Sequence, residues 1–150
     1  MNKDAFFART MHTPDDPERA ALRGLLREMS KALIPLHRAL INGTRDDYAL
    51  VQESSPGSLT PTQLLGLIKE DAFFAWLKPI TALIVDIDEM ARRDFERADV
   101  DAIMGRVERM IGVSPDQYFA DRYVPLLQRE VDVAIGHAAV RQALGKMAKE

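Results

Sequence analysis

Apolar side chains recur every three or four residues over most of this chain, which is the spacing of an amphipathic helix. The first such stretch covers residues from about 17 to 42. It begins at Asp16 and Pro17, an N-cap followed by a proline at a position where the helix needs no N–H. Asn42-Gly43 is a typical helix stop. No segment alternates apolar and polar residues as a strand does, so the pattern predicts an all-α protein.

The segment from 71 to 90 has the widest apolar surface of the chain and contains its only tryptophan, Trp76. An amphipathic surface helix has an apolar stripe of about 100°, and this one is broader. A helix with neighbours on more than one side is therefore indicated. We predict that it starts at Asp71, runs from about 72 to 93 and lies at the centre of a bundle.

Three further helices follow from the same spacing and from their end signals. Thr60, with glutamine three residues later, forms a capping box that begins a short second helix. A helix near residues 100 to 111 ends at Gly112. Ser114 forms a further capping box, which begins a last helix from about 115 to 146.

Long and short helices in this order are typical of an up-and-down bundle of the four-helix type with one extra short helix. We predict a single bundle domain over residues 14–150 and a loosely ordered arm over residues 1–13.

Prolines fall inside each of the three long predicted helices, at Pro35, Pro79 and Pro125. An interior proline removes a backbone hydrogen bond and kinks or breaks a helix. One interpretation is that the kinks enclose a cavity lined by the freed carbonyl groups. The interpretation we favour is that they bend helices around an ordinary core, or mark breaks between shorter helices.

Composition places the chain among folded globular proteins: 150 residues, 47% hydrophobic, 29% charged, with a net charge of −3. It has no cysteine, which excludes disulfides and thiolate metal sites. The balanced, slightly acidic charge argues against a nucleic-acid partner. No apolar run is long enough to span a membrane. We expect a cytoplasmic protein without a cofactor.

Polar residues on the predicted apolar faces are the main functional signal. Glu130, His137 and Arg141 lie on the apolar face of the last helix, and His37 and Asp88 lie at the edges of two other faces. Buried charges must be satisfied by one another or by a ligand. We therefore predict a polar cluster between helices. With the adjacent tryptophan, the candidate ligand-binding residues are His37, Trp76, Asp88, Glu130, His137 and Arg141.

Signals for catalysis and for metal binding are weak. The three histidines occur without the Glu-x-x-His or His-Glu-x-x-His spacing of helical metal sites. His137 near Glu130 or Asp88 has the residue types for acid–base chemistry. However, no nucleophile motif or phosphate-binding loop is present. We predict no metal site and no catalytic residue, and a metal-dependent or acid–base enzyme is the least favoured function.

Four motifs resemble a group of small, uncharacterised bacterial helical proteins. They are Pro-Leu-His at 35–37, Phe-Ala-Trp-Leu-Lys-Pro at 74–79, Ile-Asp-Glu at 87–89 and His-Ala-Ala-Val-Arg at 137–141. The chain departs from the group at Lys78, where arginine is common. The resemblance implies a bacterial, cytoplasmic helical domain and draws attention to the conspicuous residues above, but it implies no reaction.

Two functional hypotheses remain. The first is a non-enzymatic binding or interaction domain that forms a homodimer or binds a protein, through Phe6, Phe7 and leftover apolar surface on the helix at 100 to 111. The alternative is a small anionic molecule bound in an interhelical pocket lined by His37, His137 and Arg141, with the arginine on a carboxylate or phosphate.

Overall fold

The computed structural model describes residues 16–112 and 115–149, and all regular secondary structure in these two ranges is helical. The all-α prediction is confirmed. The predicted arm at 1–13, with Phe6 and Phe7, lies outside the described residues. In chain order the elements are α1 (Pro17–Val51), a first 3₁₀ helix (Pro56–Ser58), α2 (Pro61–Glu70), a second 3₁₀ helix (Ala72–Leu77), α3 (Lys78–Ala91), α4 (Arg97–Ile111), α5 (Gln117–Arg129) and α6 (Val131–Lys149).

Helix α1 begins as predicted, because the Asp16 carboxylate accepts the backbone N–H of Arg19 at 2.8 Å. It does not stop at Asn42-Gly43, and that prediction was wrong. A Cβ atom on Gly43 would lie 2.8 Å from Cδ2 of Leu126. The glycine therefore provides room for a neighbouring helix rather than an end, and α1 continues to Val51 with Pro35 in its interior.

The predicted central helix over 72 to 93 is two elements, the 3₁₀ helix Ala72–Leu77 and α3 (Lys78–Ala91). Pro79 is the reason, because it has no N–H for the carbonyl of Ala75. That carbonyl accepts the N–H of Lys78 instead, and Pro79 occupies the first turn of α3, where no intrahelical donor is needed.

The last predicted helix is also divided. Glu130 has an extended backbone between α5 and α6, and its N–H donates to the carbonyl of Leu126 at 2.7 Å. The prediction of a continuous helix over 115 to 146 was therefore wrong. Helix α5 is capped by Asp116. The predicted cap, Ser114, lies outside the described residues.

Helix α1 is the central helix of the molecule. The sequence pattern predicts this position for the segment from 71 to 90, and that prediction was wrong. It packs most extensively on α6 and then on α3, and it also contacts α5 and both 3₁₀ helices. Both main neighbours run antiparallel to it. Glu28 meets Lys146 at 3.3 Å on α6, and His37 meets Thr81 at 2.8 Å on α3.

Helices α1 and α6 approach each other most tightly at Gly136. A Cβ atom there would lie 3.0 Å from both Cα and Cβ of Leu36, which is closer than a side chain normally tolerates. The absence of a side chain at Gly136 thus sets the spacing of the two helices. Leu36 is buried at this contact.

A buried arginine ties the start of α1 to the end of α3. Arg23 donates from Nη1 to the carbonyl oxygens of Ala91 at 2.6 Å and Arg93 at 2.9 Å. Its guanidinium also lies 4.9 Å from the centre of the Phe95 ring, within the range of a cation–π interaction. These contacts satisfy a charge that would otherwise be costly to bury.

Helix α4 offers no leftover apolar surface, contrary to the expectation for residues 100 to 111. Its large apolar side chains face α3, α5 and α6 and belong to the core. The buried members are Val100, Ile103, Val107, Met110 and Ile111. None of the described helices is long and apolar enough to cross a membrane.

Candidate functional site

The candidate residues on α1 and at the helix junction have separate local partners. Nε2 of His37 lies 2.8 Å from Oγ1 of Thr81. Because the Thr81 hydroxyl donates to the carbonyl of Leu77 at 3.2 Å, its oxygen is free to accept the His37 N–H. Burial lowers the pKa of His37. Glu130 pairs with its neighbour Arg129 at 3.6 Å.

Asp88 is exposed and pairs with Arg92 one turn later, at 2.8 Å. It therefore faces solvent rather than another helix. The predicted cluster of all these polar residues does not form, because Asp88 lies on the outer face of α3 and Glu130 lies at a helix junction instead of within a helical stripe. His137 accordingly has neither predicted carboxylate as its partner.

Trp76 is connected to His137 by a row of aromatic rings. The Trp76 and Phe119 ring centres are 5.3 Å apart, Phe119 and Tyr123 stack at 5.3 Å, and Tyr123 and His137 follow at 5.6 Å. These separations are typical of favourable ring packing. Trp76 itself is buried in the core, so it supports the site from behind.

His137 is held by a tyrosine on the opposite arm of the α5–α6 hairpin. The hydroxyl of Tyr123 lies 2.7 Å from Nδ1 of His137. Because the chain folds back at Glu130, residues equally far before and after it face each other. Tyr123 belongs to the apolar face of α5 and is buried, whereas the His137 side chain is half-buried.

Both members of this pair favour their neutral forms. Burial, followed by the positive charge of Arg141, lowers the pKa of His137. Burial raises the pKa of the Tyr123 hydroxyl, so the phenol keeps its proton. That hydroxyl has no partner except Nδ1 among the described residues. A buried phenol needs an acceptor for its proton, so we infer that Tyr123 donates to Nδ1, which leaves the histidine proton on Nε2.

Arg141 lies one turn after His137 on α6 and is exposed. Its Nη1 donates to the carbonyl of Ile111 at 3.4 Å. In the described ranges, no carboxylate lies within ion-pair distance of its guanidinium. A charged group next to apolar surface is thus left with one long, neutral hydrogen bond.

His137, Arg141 and Tyr123 share a groove between the end of α4, α5 and α6. Its volume is about 340 Å³, which is at the small end of the range for small-molecule sites. Most of its wall is apolar. The lining residues are Met110, Ile111, Gly112, Pro115, Ala120, Tyr123, Val124, Leu127, His137 and Arg141.

Of the six predicted site residues, only His137 and Arg141 line this groove, with Trp76 behind it. The functional residue that the sequence did not single out is Tyr123. It was assigned to the apolar face of the last helix, and a tyrosine on such a face still needs a partner for its hydroxyl. This need for a partner was the only signal in the sequence for Tyr123. The identity of the partner, His137, follows only from the hairpin.

Within residues 16–112 and 115–149, no group of three or more histidine, aspartate or glutamate side chains is placed to hold a metal ion. The chain matches no known family model, and no curated protein or solved structure matches it. The resemblance to small bacterial helical proteins stays a prediction.

Proposed function

We propose that this chain is a non-enzymatic binding domain whose α4–α5–α6 groove takes a small carboxylate with an apolar body. One observation carries the proposal: the Arg141 guanidinium lies at an apolar groove with no carboxylate partner in the part of the chain that the structure describes. A ligand carboxylate would supply that partner through paired, charge-assisted hydrogen bonds.

The remaining lining fits the same ligand class. Nε2–H of His137 is a second donor, and its direction is fixed by the Tyr123 hydroxyl at 2.7 Å on the other ring nitrogen. Leu127, Val124 and Met110 form an apolar wall against which a short alkyl or ring body loses contact with water. One carboxylate, two converging donors and an apolar body describe the expected ligand.

Binding is favoured over catalysis by the partner of His137. A histidine that acts as a general base is usually oriented by a group that stabilises its protonated form, such as a carboxylate. Here the partner is a neutral phenol, and the charge of Arg141 lowers the pKa of His137 further. A histidine in this setting serves better as a hydrogen-bond donor than as a proton acceptor.

We also infer that the helices form the predicted up-and-down bundle, with α1 as the central helix. The antiparallel pairing of α1 with α6 and with α3, and the Arg106–Asp86 contact that joins α4 to α3, support that arrangement. It brings the end of α4 to the α5–α6 hairpin, where the groove lies.

The test is calorimetric titration of the full chain with hexanoate and with the neutral, similarly shaped hexanamide. We expect hexanoate to bind and hexanamide to bind at least about tenfold more weakly. Arg141→Gln should lose the preference for hexanoate. The control is Arg27→Gln, because Arg27 is exposed on α1 and lines no part of this groove. Equal binding of the two compounds would contradict the proposal.

A second candidate function is self-association along the seam of α1 and α6. Val131 and Ile135, one turn apart on α6, are 72% and 64% exposed. Ile34 on α1 is also exposed, and Ile135 and Pro35 line one shallow groove on this seam. Exposed apolar patches of this kind mark interaction sites, and a second copy of the chain would cover the seam.

Analytical ultracentrifugation at increasing protein concentration tests self-association. The candidate requires a dimer that Ile135→Glu converts to a monomer. Leu50→Glu is the matched control, because Leu50 is at least as exposed as Ile135 but lies near the far end of α1. A wild-type monomer at all concentrations would contradict it.

A further inference from the structure

A second cleft lies on the other side of the α5 N-terminus. It opens between the first turn of α3, the second half of α4 and the start of α5, with a volume of about 320 Å³. Its lining has a larger apolar than polar share. The lining residues are Pro79, Arg106, Arg109, Met110, Asp116, Tyr118 and Phe119. It shares only Met110 with the groove of His137 and Arg141.

The two arginines of this cleft differ in their partners. Nη1 of Arg106 is paired with Oδ2 of Asp86 at 2.7 Å. The guanidinium of Arg109 has no hydrogen-bond or ion-pair partner in the part of the chain that the structure describes. Arg109 is exposed at the cleft, so it is the positive charge that an incoming anion can pair with.

Asp116 limits the kind of anion that fits. Its Oδ2 accepts the N–H of Phe119 at 3.3 Å, and its own N–H donates to the carbonyl of Arg109. The carboxylate is thereby held at the cleft as the cap of α5. A negative charge at this place repels a second one, so a ligand with a single negative charge is favoured over a dianion.

The apolar lining favours a flat ring. Tyr118 is 58% exposed and its hydroxyl has no partner among the described residues, while Phe119, next to it, is part of the core. Pro79 and Met110 complete the wall. Aromatic rings and a thioether are the surfaces on which another aromatic ring packs best.

From this arrangement we propose that the cleft between α3, α4 and α5 binds an aromatic monocarboxylate. Its carboxylate pairs with Arg109, and its ring packs between Tyr118 and the floor formed by Met110 and Phe119. The proposed site is separate from the groove of Arg141. The two share only Met110, and Arg109, which pairs with the carboxylate, does not line that groove.

The test follows backbone amide signals of the full chain by NMR during titration with benzoate. We expect the signals of Arg109, Tyr118 and Phe119 to shift with one common dissociation constant. Arg109→Gln should weaken binding about tenfold, and Tyr118→Ala should weaken it several-fold. Arg27→Gln, which removes the same charge from an exposed position on α1, should change the affinity less than about twofold.

Three further compounds separate the contributions of the ligand's negative charge, its flat ring and its single ionisation to the affinity. Benzamide should bind more weakly than benzoate, because it lacks the charge. Cyclohexanecarboxylate should bind more weakly, because its ring is not flat. Phenyl phosphate should bind more weakly because Asp116 opposes its second charge. Tighter binding of phenyl phosphate would overturn the assignment to a monocarboxylate.

Two results would overturn the site itself. One is a benzoate response that Arg109→Gln leaves unchanged. The other is a response confined to Leu127 and His137, which would place benzoate in the other groove. Because Arg109 is exposed, we expect its glutamine variant to fold, and its helical circular dichroism should equal that of the wild type.

Discussion

The hydroxyl of Tyr123 lies 2.7 Å from Nδ1 of His137, and this contact joins the two arms of the α5–α6 hairpin. The same contact orients the histidine toward the groove that it shares with Arg141. This one hydrogen bond therefore contributes both to the stability of the hairpin and to the geometry of the proposed site.

Tyr123→Phe should destabilise the protein by about 1 kcal/mol, because it removes this bond and leaves Nδ1 without a donor. Urea unfolding measures the loss. Tyr118→Phe is the matched control, since the Tyr118 hydroxyl is exposed and has no partner among the described residues. Equal effects of the two substitutions would show that the Tyr123–His137 bond contributes nothing.

Stability should fall as the pH is lowered from about 7.5 to about 5.5. The pKa values of His37 and His137 are lowered by burial, and that of His137 also by Arg141. Below about pH 6.5 the unfolded chain therefore binds protons that the folded chain does not. The stabilisation is complete above that pH and is lost as the pH falls through the lowered pKa values.

Urea unfolding at the two pH values measures this dependence. His37→Gln and His137→Gln should each reduce it, and the double variant should remove most of it, since carboxylates titrate lower. An unchanged pH dependence in the double variant would contradict the assignment to these histidines.

Gly136→Ala should destabilise the protein by about 1 kcal/mol or more, because the new Cβ would lie 3.0 Å from the backbone of Leu36. Gly145→Ala is an internal control on the same helix, since nothing lies within 4 Å of its Cβ position. There, the better helix propensity of alanine should stabilise the fold by up to about 1 kcal/mol. Thermal unfolding of both variants decides whether α1 and α6 are this close.

Arg23→Met should cost about 2 to 3 kcal/mol, because the buried carbonyl group of Ala91 and the partly buried one of Arg93 lose their donor. Arg27→Met, one turn further along α1, removes an exposed charge and should change the free energy of unfolding by less than about 0.5 kcal/mol. Similar losses of unfolding free energy in the two variants would contradict the conclusion that Arg23 stabilises the contact between α1 and the end of α3.

Helix starts could be read from the sequence because their signals are local. The caps at Asp16, Thr60 and Asp71 each accept a backbone N–H within the next three residues, and the helical end at Gly112 is also where the pattern placed it. Such bonds depend only on neighbouring residues.

Breaks and continuations that depend on other helices could not be read in this way. Gly43 is of the residue type that often ends a helix. Here, however, the space left by its missing side chain is filled by Leu126 from α5. Glu130 carries no break signal, yet the chain turns there. Nothing in the sequence distinguishes Arg23 from the exposed arginines of α1, and only the end of α3 explains its burial.

The same distinction between local and long-range signals holds for the candidate site. Helical spacing placed His137 and Arg141 on one face, and both line the groove. Grouping them with Asp88 and Glu130 failed because it assumed continuous helices with a common inward face. The partner of His137 is Tyr123, and that pairing exists only because the chain reverses at Glu130.

The most direct test of the proposed carboxylate site is long-range ¹H–¹⁵N NMR of the histidine side chains, recorded without and with saturating hexanoate. We predict that His137 carries its proton on Nε2 and that this nitrogen shifts when hexanoate binds. His37, bonded to Thr81 between α1 and α3, serves as an internal reference that should not move. A His137 signal that stays unchanged while hexanoate saturates the protein would contradict the proposed site.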